Sequence, residues 1–201
     1  MSHREINSAS NQNITTVDEA VAKSIETAKE AIVSRASLPG HACYAVVGLP
    51  KSGKSFLVAA LRGLAEKLGI EIVDSEEVFP ETDASKPFEA RALETEFRTM
   101  RRVEEILARG DSVLVDKGEF VPGDFRFHNE RALGRLRYIA GAHGAEFVPL
   151  FVGTSPETAA KRFPRKKGLL AFFKERRLVE EFRETRRKLE RFCASSGDGR
   201  S

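Results

Sequence analysis

Residues 48–55 read Gly48–Leu49–Pro50–Lys51–Ser52–Gly53–Lys54–Ser55, which is G-x-x-x-x-G-K-[ST] in full. Glycines at both ends let the backbone turn its N–H groups inward and form a nest for phosphate oxygens. A helix that starts just after the loop adds the positive end of its dipole. Lys54 brings a point charge to the β- and γ-phosphates, and the Ser55 hydroxyl is a ligand for Mg²⁺. By accident the pattern arises in on the order of 1% of chains this long. Context sharpens it: His41 to Val47 is an apolar run that reads as a buried strand, and Phe56 to Leu68 carries Leu57, Ala60, Leu61, Leu64 and Leu68 on one helical face. The expected ligand is a nucleoside triphosphate, ATP with Mg²⁺, held by Gly48 to Ser55 with Phe56 as the flanking residue. Lys51, three residues before Lys54, reads as a solvent-facing member of the loop.

Outward from the loop, strand and helix patterns alternate. Thr16 is placed to cap a helix from Val17, where Val17, Val21, Ile25, Ala28 and Ile32 mark one apolar face, and Pro39–Gly40 ends it. Residues 1–15 are polar and read as a disordered tail. Strands are expected over 70–73, 113–115 and 147–152, and helices over 87–109, 129–143 and 172–192. Pro80 to Lys86 and Lys117 to Phe127 read as loops. Thr154 or Ser155 caps a short helix with Pro156 in its first turn, a break follows at Pro164 to Gly168, and 194–201 reads as a second tail. This alternation implies βαβ units. The expected fold is α/β, a P-loop NTPase three-layer arrangement with a parallel sheet of four or five strands flanked by helices. Its domain would span 41–193, preceded by the helix of 16–36 and closed by a basic lid and C-terminal helix over about 154–192.

Ligands of such sheets sit beyond the carboxyl ends of the strands, where Gly48, Asp74, Asp116 and Gly153 all fall. Asp116 closes Val113–Leu114–Val115, the position of an acid that orders Mg²⁺ and its waters; the plainer reading is a strand-ending turn residue. Asp74 closes Ile70–Glu71–Ile72–Val73 and is the first candidate for the base that takes a proton from an acceptor hydroxyl, with Glu76 and Glu119 next. The plainer reading is a capping acid.

The 201 residues carry a net charge of +3, but Lys161 to Arg191 holds thirteen Lys and Arg against five Asp and Glu. That is either a solvated face of a long helix or a surface for a polyanion, nucleic acid among the candidates. There is no apolar run of 18 residues, so no membrane span is expected, and no leader with an apolar core at the N-terminus. Cys43 and Cys193 make no disulfide framework, which fits a reducing cytoplasm. His3, His41, His128 and His143 have no zinc-ligand spacing with them. In Val121 to His128 aromatic and basic residues alternate, suited to stacking a base or to anchoring the loop in the core.

With these features in place, the chain resembles the small P-loop kinases, in particular the polynucleotide-kinase-like and zeta-toxin-like group. The resemblance runs from about Cys43 to Arg191. It rests on GLPKSGKS, then a strand ending in Asp74, a long helix, VLVD at 113–116, a helix carrying Arg131 and Arg135, and FVPLFVGTSPETAAKRFPRK at 147–166. It implies that Arg162 and Arg165 are lid arginines that close over the transferring phosphoryl group, with residues 160–175 as the lid. The group often places an Arg soon after the second strand's Asp to grip a phosphorylated acceptor; here Ser75–Glu76–Glu77 follows. No guanine-specificity NKxD and no LSGGQ occur. Function is therefore expected to be ATP-dependent transfer of a phosphoryl group to a nucleotide, a nucleic-acid end or a small metabolite. The alternative is a nucleotide-binding switch or partner-activated NTPase working through its N-terminal or basic C-terminal helix.

Overall fold

The computed structural model describes the backbone of residues 3–116, 125–162 and 169–197, and the side chains of 19–116, 131–162 and 177–195. Four strands, β1 (Ala42–Val47), β2 (Glu71–Asp74), β3 (Val113–Asp116) and β4 (Glu146–Phe151), form one parallel sheet in the order β2-β3-β1-β4. The phosphate-loop strand β1 is thus central, with the acid-bearing strands on one side of it and β4 on the other. Pro149 has no N–H to donate, which suits its place in a strand at the sheet edge.

Every residue of β1 is buried, as expected of a strand covered on both faces. Cys43, Ala45 and Val47 face a layer made by α4 (Phe88–Ala108), α5 (Phe125–Ala142) and α7 (Leu169–Gly197), where they meet Val103, Leu107, Leu136 and Leu189. Ala42, Tyr44 and Val46 face α1 (His3–Ala36) and α2 (Lys54–Lys67), where they meet Ile25, Ile32, Leu57 and Leu61. The period-2 alternation of one strand therefore fixes three layers.

Several boundaries differ from the sequence reading. Helix α1 starts at His3 and not near Val17: no Gly or Pro occurs between them, so the polar segment read as a tail continues the helix. The polar stretch after β2 contains α3 (Ser75–Val78) and a 3₁₀ turn at Phe79–Glu81, because the Asp74 carboxylate caps the Glu76 amide at 2.7 Å. Helix α5 begins at Phe125, inside the stretch read as loop, and α7 runs from Leu169 through Gly197, past both ends of the expected 172–192 and into the expected tail. Ser155, not Thr154, caps α6 (Pro156–Lys161), accepting from the Thr158 amide at 3.1 Å. The loop of 117–124, with Glu119, and the break at 163–168, with Arg165, lie outside the described residues.

Candidate nucleotide site

The phosphate loop is built from its own backbone requirements. Gly48 follows β1 and has no room for a side chain: a Cβ there would lie 2.7 Å from Ser52 Oγ and 3.1 Å from Val152 Cβ. Gly53 caps α2 in the left-handed region, φ +105°, which costs glycine little and other residues more. Lys51 also adopts positive φ, 58°, the one non-glycine residue to do so among the described residues. The Ser52 amide donates to Leu49 O at 3.1 Å and the Leu57 amide to Gly53 O at 3.0 Å, which closes the loop onto the helix.

Leu49 and Pro50 are buried, and Leu49 packs with Ala159, Ala160 and Phe182 from α6 and α7. They anchor the loop, and what they present to a ligand is main chain. Lys54 Nζ donates to Leu49 O at 3.1 Å, holding the ammonium over the loop. Phe56 is exposed in the first turn of α2.

On the β3 side, Asp116 is 2% exposed. Burial and the neighbouring Asp74 push its carboxyl up to about 6, against the pull of Lys54 and a hydrogen bond from Ser55. Its Oδ1 is buried without a hydrogen-bond partner. Asp74 stands opposite it in the β2–β3 register, and its own carboxyl is raised, chiefly by burial, against the Glu76 amide bond. One buried carboxylate and one hydroxyl beside a phosphate nest form an oxygen donor set that fits Mg²⁺, which takes one or two carboxylates and fills its shell with water and phosphate.

On the β4 side the loop is tied down by residues that sequence reasoning assigned elsewhere. The Thr154 hydroxyl donates to Ser52 O at 2.6 Å in a buried bond. Arg162, expected as a lid arginine, donates to Lys51 O at 2.6 Å from the end of α6 and so touches the phosphate loop. The Gly153 amide donates to Ser24 Oγ of α1 at 3.1 Å, and Val21 Cγ2 lies 3.3 Å from where a Gly53 Cβ would be. The helical period marked Val21 as apolar, but nothing in it named the phosphate loop as its neighbour. Ser24 carried no signal at all.

The basic helix is largely self-neutralised among the described residues. Arg177 pairs with Glu181, Arg186 with Glu190, Lys188 with Glu184, and Arg183 with both Glu180 and Glu157. Arg183–Glu157 also fastens α6 to α7. On α5, Arg135 is engaged by Glu96. Cys43 is buried and Cys193 half-buried, both free thiols. Among the described residues, no helix is long and apolar enough to cross a membrane.

One protein family, described as an AAA domain (AAA_33), matches residues 44–189. No curated protein sequence matches the chain. Among solved structures, a "putative kinase" of Chloroflexus aurantiacus is similar at 14% identity and a TM-score of 0.45, over 62% of this chain and 64% of that one. The APS kinase CysC of Mycobacterium tuberculosis, in a mutant form, is similar at 16% identity and a TM-score of 0.41, over 71% of this chain and 97% of that one. The chain thus spans a little under two thirds of the length of the first of these.

Proposed function

The chain belongs to the AAA_33 family, and from that premise we propose that it is a P-loop kinase that transfers the γ-phosphoryl group of ATP to a hydroxyl or phosphate acceptor. The observation that carries this reading is the pairing of Asp74 with Asp116 at the tips of adjacent strands, one acid deep against Ser55 and the other less buried at the mouth. Two acids in unequal environments suit two roles.

In this reading Lys54 and the amides of residues 48–55 bind the phosphates, and Arg162 and Arg165 would close over the transferring phosphoryl group. Ser55 and Asp116 would hold Mg²⁺, which neutralises developing charge on the phosphate oxygens. Asp74 accepts the proton of the acceptor hydroxyl. Its raised proton affinity favours that task, since a base works best when its pKa approaches the operating pH. The acceptor would enter from the β2–β3 side, beside Asp74 and the turns of residues 75–82, where a nucleotide, a nucleic-acid end or a small metabolite remain the classes to test. Free cysteines support a cytoplasmic setting.

The test is ADP release from Mg-ATP with and without a panel of hydroxyl and phosphate acceptors. Release that depends on an acceptor supports the kinase. Slow turnover stimulated only by a protein or a nucleic acid supports the switch instead, for which the missing Arg after Asp74 is the motive.

A further inference from the structure

The strand order divides the phosphate loop into two flanks. Ser55, Asp116 and Asp74 lie toward β3 and β2, and Gly153, Thr154, Arg162 and α1 lie toward β4. A triphosphate whose γ end lies by the two acids must send its nucleoside out over the other flank. Helix α1 lines that flank. Its C-terminal end is fastened at the foot of the sheet, where Arg35 pairs with Glu146 at 2.6 Å and donates to His41 O at 3.1 Å. Ser24, eleven residues earlier, is bonded to Gly153 at the opposite, carboxyl end of β4. The axis of α1 therefore runs toward the ligand side of the sheet, and the turns before Val21 rise past the loop at about 1.5 Å per residue.

We infer that α1 is a working part of the nucleotide site, with Ser24 a positioning residue that sets the phosphate loop through Gly153 and Thr154. This rests on the phosphate-loop reading above and extends it to a segment outside residues 44–189. The route is continuous. Ser24 Oγ donates to Ala20 O at 2.8 Å, which turns its lone pair toward the Gly153 amide. The next residue, Thr154, donates to Ser52 O, and Ser52 precedes the left-handed Gly53, whose peptide aims the first amides of α2. Val21 packs on Gly53 itself. Ser24 is 7% exposed, so water does not replace its bond easily. Arg162 joins from the same flank at Lys51 O, so three consecutive loop residues, 51 to 53, are fixed from the β4 side. Because α1 contacts the loop only in its docked position, nucleotide binding and docking of α1 stabilise each other.

The experiment uses the full chain and Mg-ATP. Ser24→Ala is expected to weaken Mg-ATP binding by calorimetry on the order of tenfold, and Ser24→Thr, which keeps the hydroxyl, to restore most of it. Hydrogen exchange of the parent across residues 19–28 is expected to slow at least about fivefold when Mg-ATP binds. A merely structural serine would lower the melting temperature without changing the affinity of the folded protein. If the parent binds Mg-ATP, Ser24→Ala binds it equally well and exchange over 19–28 ignores the ligand, the inference is overturned while the phosphate-loop assignment stands. If the parent binds no nucleotide, both fall together.

Discussion

Asp74 and Asp116 occupy the same rung of the β2–β3 ladder, and the charge of Asp74 is the second largest reason, after burial, that Asp116 holds its proton to about pH 6. The two acids therefore act on one another before any ligand arrives.

Asp116 gives a pH prediction with a defined sign. Its carboxyl is raised in the fold from an ordinary 3.8 to about 6, so the protonated form is favoured by folding. That contribution is complete below pH 3.8 and is lost as pH rises through 6. At pH 7 without metal the ionised group costs at most about 3 kcal/mol. Asp116→Asn is expected to raise the melting temperature of the nucleotide-free protein at pH 7 to 8, with the gain fading toward pH 4. In the parent, Mg-ATP affinity should fall as pH drops from 7 to 5, and in the variant the Mg²⁺ dependence should be weakened. Thermal melts and calorimetry across that range check both.

Asp74→Asn is expected to keep Mg-ATP affinity within about threefold and to lower acceptor-dependent transfer by 100-fold or more, the usual scale of a lost general base. Single-turnover transfer with a working acceptor measures it. Full transfer in the variant moves the base to Glu76 or Glu119.

Lys54→Ala is expected to reduce Mg-ATP affinity by roughly 100-fold or more, because a charge-assisted contact to phosphate is lost. Stability should change by no more than about 1 kcal/mol, since the ammonium bonds loop carbonyls that water can serve. Calorimetry and thermal melts, run side by side, separate the two effects.

Arg162→Lys keeps the charge and removes the planar fork that reaches Lys51 O. Turnover should fall at least about tenfold, well beyond any change in Mg-ATP affinity. Equal losses in both would make Arg162 a brace of the empty loop and not a lid arginine.

Much of this site was legible in the chain. The glycine and lysine pattern of 48–55 works through the backbone, so sequence alone carries it. Asp74 and Asp116 were marked by short apolar strands that end in an acid. What escaped were tertiary ties made by ordinary residues. Thr154 and Ser155 both suited the helix cap, since Ser or Thr before Pro at a helix start fits that role, and Ser155 is the one that takes it. The hydroxyl of Thr154 was left for Ser52. The apolar stripe of α1 declared that one face is buried, but periodicity does not say against what. The basic run read equally as a solvated face or a polyanion surface, and charge counts alone do not show that Arg177, Arg183, Arg186 and Lys188 each pair with a glutamate of the same helix.

The bond between Ser24 and Gly153 joins residues 129 positions apart. During synthesis the helix that carries Ser24 leaves the ribosome long before β4, so its apolar stripe of Val21, Ile25, Ala28 and Ile32 has no finished surface to cover. At about 5–20 residues per second that interval lasts many seconds. Over that time the amphipathic helix of the nascent chain stays partly uncovered, and chaperone demand should concentrate there. Substitutions that sharpen the stripe would then lower the yield of folded protein even where they improve the finished core.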